Sequence, residues 1–298
     1  MNVSWGWVSL LARAARTRRG AIGLTVTGAV VLLAIIGPFI APHSPTVSQT
    51  APFAPPSGAY PLGSDGIGRD VLSRVLAGGW LLLGVAAAST LLGVGAGLLI
   101  GIFAAYRGGI VDSMLMRIVD VLLAFPPLVF ALLIVSVLGR HVWLLLIAVS
   151  ISHTPQVARV VRAAALDVSA RDFVRAVELL GTPSRRVMTG EILPNLLSVV
   201  MVELGLRFTF AILLIASLSF LSFGIQPPAA DWGLMINENR IGLTVNPWGV
   251  LVPVVLIAVL TIGLNTFTDA IARASLGLER PPEQMDLVAT GIVSEATL

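Results

Sequence analysis

DVSARDFVRAVELLGTPSRRVMTGEILPN, residues 167–195, is a polar interruption between two long apolar segments, and its reading decides how the whole chain is understood. It carries Arg171, Arg175, Arg185 and Arg186 and is punctuated by Gly181, Pro183 and Pro194. Ser169 reads as an N-cap and 170–180 as a helix, with Gly181 as its C-terminal stop. Thr182 then caps a second short helix over 183–189, with Pro183 at its first position. Leu193-Pro194 breaks the chain before the next apolar run. The expected product is a helix–glycine–helix hairpin lying across a membrane surface, presented for docking.

The segments on either side explain why a membrane is involved. With 56% apolar and 12% charged residues, the chain has the composition of an integral membrane protein. Charge-free runs over 20–42, 75–106, 121–139, 208–230 and 241–268 each reach the ~18 residues that indicate a span. A sixth run, 142–158, is shorter and contains His153 and Pro155, but its neighbours make it credible. Six spans are therefore expected in an all-α fold. The first, at 21–41, follows a basic cluster, yet its length and the absence of a small-x-small site make it an anchor rather than a cleaved leader.

The basic residues set the orientation. All 19 are arginine and none is lysine. With the N-terminus inside, fourteen of them fall on inner segments, Arg207 sits slightly deeper, and only Arg69, Arg74, Arg140 and Arg240 lie outside. That asymmetry places 167–195 and both termini in the cytoplasm. The net charge of +3 thus reflects topology and gives little support to nucleic-acid binding. A P-loop needs a lysine, so nucleotide hydrolysis, where it drives this protein, belongs to another subunit. The lack of cysteine rules out disulfides and thiolate chemistry.

Residues 1–20 read as a cytoplasmic amphipathic segment, with a short helix over 5–19 on the inner surface. The outer segment 42–79 divides into an extended, Pro- and Ser-rich part to residue 64 and a surface helix over 65–78, where Asp65, Arg69, Asp70 and Arg74 recur at helical spacing. In the second span Ser89, Gly93, Gly97, Gly101 and Ala105 form a small-residue stripe that lets another helix approach. The third span is expected to begin near Ser113 and to kink at Pro126-Pro127. The fourth ends near residues 159–162. Glu203 with Arg207, and Asp269 with Arg273, are spaced for i,i+4 ion pairs near the cytoplasmic surface. The three histidines lack ligand spacing, and no catalytic constellation is present. Asp65, Arg69, Asp70 and Asp231 are outer-face charges open to three readings: contact with a soluble binding protein, contact with a second permease, or a solvated face.

RDFVRAVELLGTPSRRVMTGEILPN resembles the EAA loop of permease subunits of binding-protein-dependent ABC importers. Four further stretches at 60–78, 101–132, 217–233 and 246–276 resemble, in order, the second permease of the dipeptide/oligopeptide/nickel group. The resemblance implies a MetI-like transmembrane domain with its core at 80–276 and a cytoplasmic tail at 277–298. It implies pairing with a homologous permease, two ATPase subunits that bind ATP and Mg, and an extracytoplasmic solute-binding protein. It also implies that Asp172, Arg175, Ala176, Glu178, Leu179, Leu180, Gly181, Pro183 and Pro194 form an ATPase-coupling surface. Three positions depart from the pattern. Arg175 stands where a glutamate is usual, Ile215 replaces a glutamate in the fifth span and is expected to alter the pore lining, and Ser222 replaces a common glycine. The rival class is a secondary transporter or channel not driven by ATP, which would need mid-membrane charges or symmetric broken helices.

Overall fold

The computed structural model describes residues 3–275, with side chains from Ser9 onward; the expected cytoplasmic tail at 277–298 lies outside the described residues. The described chain is built from helices. A short helix α1 (Val3–Arg16) leads into α2 (Arg18–Ile40), whose N-terminus is capped by Thr17 accepting from the Gly20 N–H at 3.0 Å. An irregular outer segment follows, then α3 (Val71–Ala77) and α4 (Gly79–Arg107). Next come α5 (Gly109–Leu123), α6 (Pro127–Leu138) and α7 (Val142–Ser169). The hairpin helices α8 (Asp172–Leu179) and α9 (Ser184–Val187) precede a π-helical turn and the single-turn α10 (Leu193–Asn195). The chain then forms α11 (Leu197–Phe220), the outer helix α12 (Trp232–Asn239) and α13 (Trp248–Ser275).

Five of these helices are long and apolar enough to cross a membrane, or six when α5 and α6 are taken as one span bent by 84°. The bend falls at Pro126-Pro127, where two residues without an N–H cannot continue the helical ladder. The predicted kink is thus a near right angle, and the inner half begins at Gly109 rather than Ser113.

The spans meet through small residues. Gly93, Gly97 and Gly101 of α4 face α7 so closely that an added Cβ would lie 2.8 Å from the Ser150 carbonyl oxygen, 2.6 Å from the Val157 Cβ and 2.7 Å from the Ala158 carbonyl oxygen. Backbone-to-backbone packing of this kind supplies dispersion contacts that lipid cannot. α2 meets α13 in the same way, with Gly23 against Phe267 and Gly263 against Thr27. At the outer end, Trp232 is fully buried under the α3–α4 corner and donates from Nε1 to the Val75 carbonyl at 2.8 Å. At the other end, Leu10 and Ala14 of α1 pack against Ala270, Ile271 and Ala274 of α13.

Several boundaries differ from the sequence expectation. The fifth and sixth spans begin at Leu197 and Trp248, about ten and seven residues away from the starts that charge-free runs predict. Glu203 and Arg207 neutralise one another, so the helix extends N-terminally through them. α11 ends at Phe220, before the apolar run does, where Ser222 turns left-handed and the Phe223 N–H bonds back to the Leu218 carbonyl. α7 runs to Ser169, well beyond residues 159–162, because its arginines pair along its flank: Arg162 with Asp112 and Arg159 with Asp120. Ser169 therefore closes α7 instead of capping α8.

Candidate functional site

The hairpin is held from within by apolar side chains. Val174 of α8, Val187 of α9 and Ile192 are buried together with Val161, Ala165 and Val168 of α7. Asp172 sits in the first turn of α8, where a negative charge suits the helix N-terminus. Gly181 has φ +77, the left-handed conformation, and its N–H donates to the Glu178 carbonyl at 2.9 Å. The next helix starts at Ser184 with Pro183 as the flanking residue, so Pro183, rather than Thr182, holds the cap position.

The break expected at Leu193-Pro194 falls two residues later, at Leu196. Residues Met188–Ile192 form a π-helical turn, Pro194 sits in the first turn of α10, where its missing N–H costs nothing, and the chain kinks only at Leu196. The second arm of the hairpin is consequently almost continuous with α11.

On the outward face Arg175, Ala176, Glu178, Leu179, Leu180 and Pro183 are exposed, and Pro194 is half-buried. Leu179 is 89% and Leu180 83% exposed. Among the described residues, Asp172, Arg175, Glu178, Arg185 and Arg186 form no ion pair. The hairpin thus presents two bare leucines on a segment whose charged side chains form no ion pair.

At the opposite end, the four candidate contact charges are buried, which corrects the expectation of a surface helix over 65–78. Asp65 accepts from Arg69 Nε and Arg74 Nη1, each at 2.6 Å, and from the backbone N–H groups of Ile67 and Arg69. Glu238 of α12 closes the cluster, accepting from Arg69 Nη2 at 2.8 Å and lying within ion-pair distance of Arg74 Nη2, at 2.7 Å without a hydrogen bond. Asp70 caps α3, accepts from the Ser73 hydroxyl at 2.6 Å and meets His43 Nδ1 at 3.2 Å. Asp231 caps α12 through the Leu234 N–H at 2.8 Å, while its Oδ2 has no partner. Burial pushes the Asp231 carboxyl up to about 6, against the pull of the Leu234 N–H. Isolated charges would not tolerate this environment; the paired network pins the outer loop to α12. Glu238 escaped the sequence reading because nothing near it in the chain marks it as Arg69's partner.

A third polar group lies deep in the spans. Arg207 Nε donates to Glu203 Oε2 at 2.9 Å, and Nη1 donates to Gln156 Oε1 of α7 at 2.6 Å. Arg207 also stacks over the Phe210 ring at 5.5 Å. The i,i+4 pair expected from the spacing of Glu203 and Arg207 is formed, and Arg207 extends it to Gln156 of α7. Asp269 and Arg273 form no ion pair among the described residues, so the spacing argument fails there. Ile215 is fully buried in the main core, not on a pathway surface. No group of metal-ligating side chains occurs among the described residues.

The described residues thus form an all-helical membrane subunit with an interrupted span and a hairpin of short helices. The chain belongs to the family of binding-protein-dependent transport system inner membrane components, whose profile matches residues 97–276. Residues 7–56 match the N-terminal TM domain of oligopeptide transport permease C. The chain is 37% identical over 265 residues to a Brucella suis protein provisionally named a peptide transport system permease, covering 87% of this chain and 88% of that one. It is 33% identical to the dipeptide transport system permease protein DppC of Haemophilus influenzae, covering 87% and 90%. The corresponding protein of Alkalihalophilus pseudofirmus is 31% identical, covering 90% and 88%. The chain is a permease subunit of an ABC importer.

Proposed function

We propose that this subunit conducts short peptides across the inner membrane, with both termini in the cytoplasm. It pairs with a homologous permease to enclose the pathway. Two ATPase subunits bind ATP and Mg beneath it, a solute-binding protein delivers cargo from outside, and this chain itself carries no catalysis. The names of the relatives favour di- or oligopeptides over nickel or another small solute.

The observation that carries the coupling role is the pair of bare leucines, Leu179 and Leu180, at a glycine turn. Large apolar side chains so exposed mark a surface that a partner covers. A partner gripping them moves α7 and α11 together, because α8 follows α7 after two residues and the other arm runs into α11. ATP-driven closure beneath then becomes reorientation of the spans.

The test is the double substitution Leu179→Ser/Leu180→Ser in the complete complex in proteoliposomes. ATP-driven dipeptide uptake should fall by about tenfold or more, matching a loss of about 1.4 kcal/mol or greater at the contact. The melting temperature of the permease pair should not change, since both side chains are solvent-exposed. Unchanged uptake would sink the coupling assignment.

A further inference from the structure

Beside the bend between α5 and α6 lies a concavity of about 340 Å³, walled by α6, α7 and α11. Its apolar lining is interrupted by His153, Gln156, Arg207 and Ser217. Arg207 faces this space, whereas Glu203, 5% exposed, is not part of the wall. The guanidinium is therefore nearer to anything in the concavity than its neutralising carboxylate. His153 is 3% exposed, and its Nε2 has no hydrogen-bond partner. The Gln156 amide accepts from Arg207, and among the described residues its own N–H groups are given to no one. An orphaned ring nitrogen in an apolar bundle is costly unless something intermittently pairs with it.

We propose that this pocket is a station on the translocation pathway that receives a carboxylate group of the peptide cargo. Arg207 supplies the charge and the free N–H groups of Gln156 supply hydrogen bonds, with the enclosed His153 ring forming the wall behind them. The Glu203 and Gln156 contacts hold the guanidinium in place, so it needs no reorganisation when an anion arrives. Because Glu203 offsets the charge, the pocket attracts a carboxylate without trapping it, as conduction requires. The identity of the cargo rests on the reading of the subunit as a peptide importer; the pocket's preference for anions does not.

This chain has no cysteine, so Ser217→Cys places a single thiol on the pocket wall. In the complete complex, with cysteine-free partners, an anionic methanethiosulfonate should modify it about tenfold faster than a cationic one, after correction for their rates with a free thiol. Adding Glu203→Gln/Arg207→Gln, which removes both charges with little change in shape, should bring the two rates together. A transported dipeptide should slow modification during ATP turnover, and its C-terminal amide should not. Equal rates on Ser217→Cys alone overturn the proposal, even where the further substitutions prevent assembly. A preference that survives the double substitution overturns it as well. Anion preference without protection by any transported peptide overturns the cargo assignment, and absence of peptide uptake by the unmodified complex overturns the peptide reading on which it rests.

Discussion

Asp231 shows how one carboxyl can cap a helix and still carry a cost. Its Oδ1 accepts the Leu234 N–H, but full burial lifts its pKa from the ordinary 3.8 to about 6. The fold thus prefers the neutral acid. This contribution is fully present below about pH 3.8 and is lost as pH rises through about 6, a swing of about 3 kcal/mol. Asp231→Asn keeps an oxygen acceptor at the cap and removes the titration. Thermal melts from pH 3 to 7 should show the native chain losing about 3 kcal/mol relative to the variant; parallel curves would contradict this. Other single residues explain departures from the family pattern. Ser222 has φ +65, which accounts for the usual glycine, and its hydroxyl instead accepts from Asn237 Nδ2 at 3.1 Å. Neither the backbone angle nor the burial of Ile215 can be read from residue order, since both depend on where α11 ends and what covers it.

At the level of elements, a pattern was legible when it repeated along one helix. The spacing of Gly93, Gly97 and Gly101 is a property of α4 alone, and the helix it meets, α7, is its neighbour in space. Gly97→Ala should destabilise the subunit by about 1–3 kcal/mol, because the new Cβ meets Val157 and the Thr154 carbonyl oxygen at 2.6 and 2.8 Å. Gly95→Ala, two residues away with open space around it, should be neutral or stabilising by up to about 1 kcal/mol. Equal melting temperatures for the two variants would refute tight α4–α7 contact. Boundaries were less legible because charged side chains were counted as terminators. Arg162 and Arg207 instead lie within long helices, paired with Asp112 and Glu203. Likewise the charges at 65–74 have helical spacing, but Asp65 and Arg69 precede a helix that starts at Val71. Their partner Glu238 lies 169 residues beyond Arg69, outside the reach of any local pattern.

For the whole molecule, the arginine asymmetry predicts a sidedness that the cysteine-free sequence makes easy to measure. Expressed without ATPase subunits, Ser57→Cys should react with an impermeant maleimide in intact spheroplasts. Arg186→Cys should react only after permeabilisation; the reverse pattern would invert the assigned topology. Five of the six expected spans are single long helices, whereas the near right-angle break in the third was visible only as a proline pair. The hairpin could be located from its glycine and prolines. The polar pocket could not, because Gln156, Arg207 and His153 converge from two helices that are distant in sequence.

The close seam between α4 and α7 also has a mechanical meaning. α7 contains Pro155, and alone it would be free to flex there. α4 has no proline across its 29 residues and lies against α7 at backbone distance on both sides of that point. The pair therefore behaves as a splinted beam about 42 Å long. Tilting such a beam by about 10° at one end swings the other through about 7 Å. Leverage, not local rearrangement, is what this seam supplies.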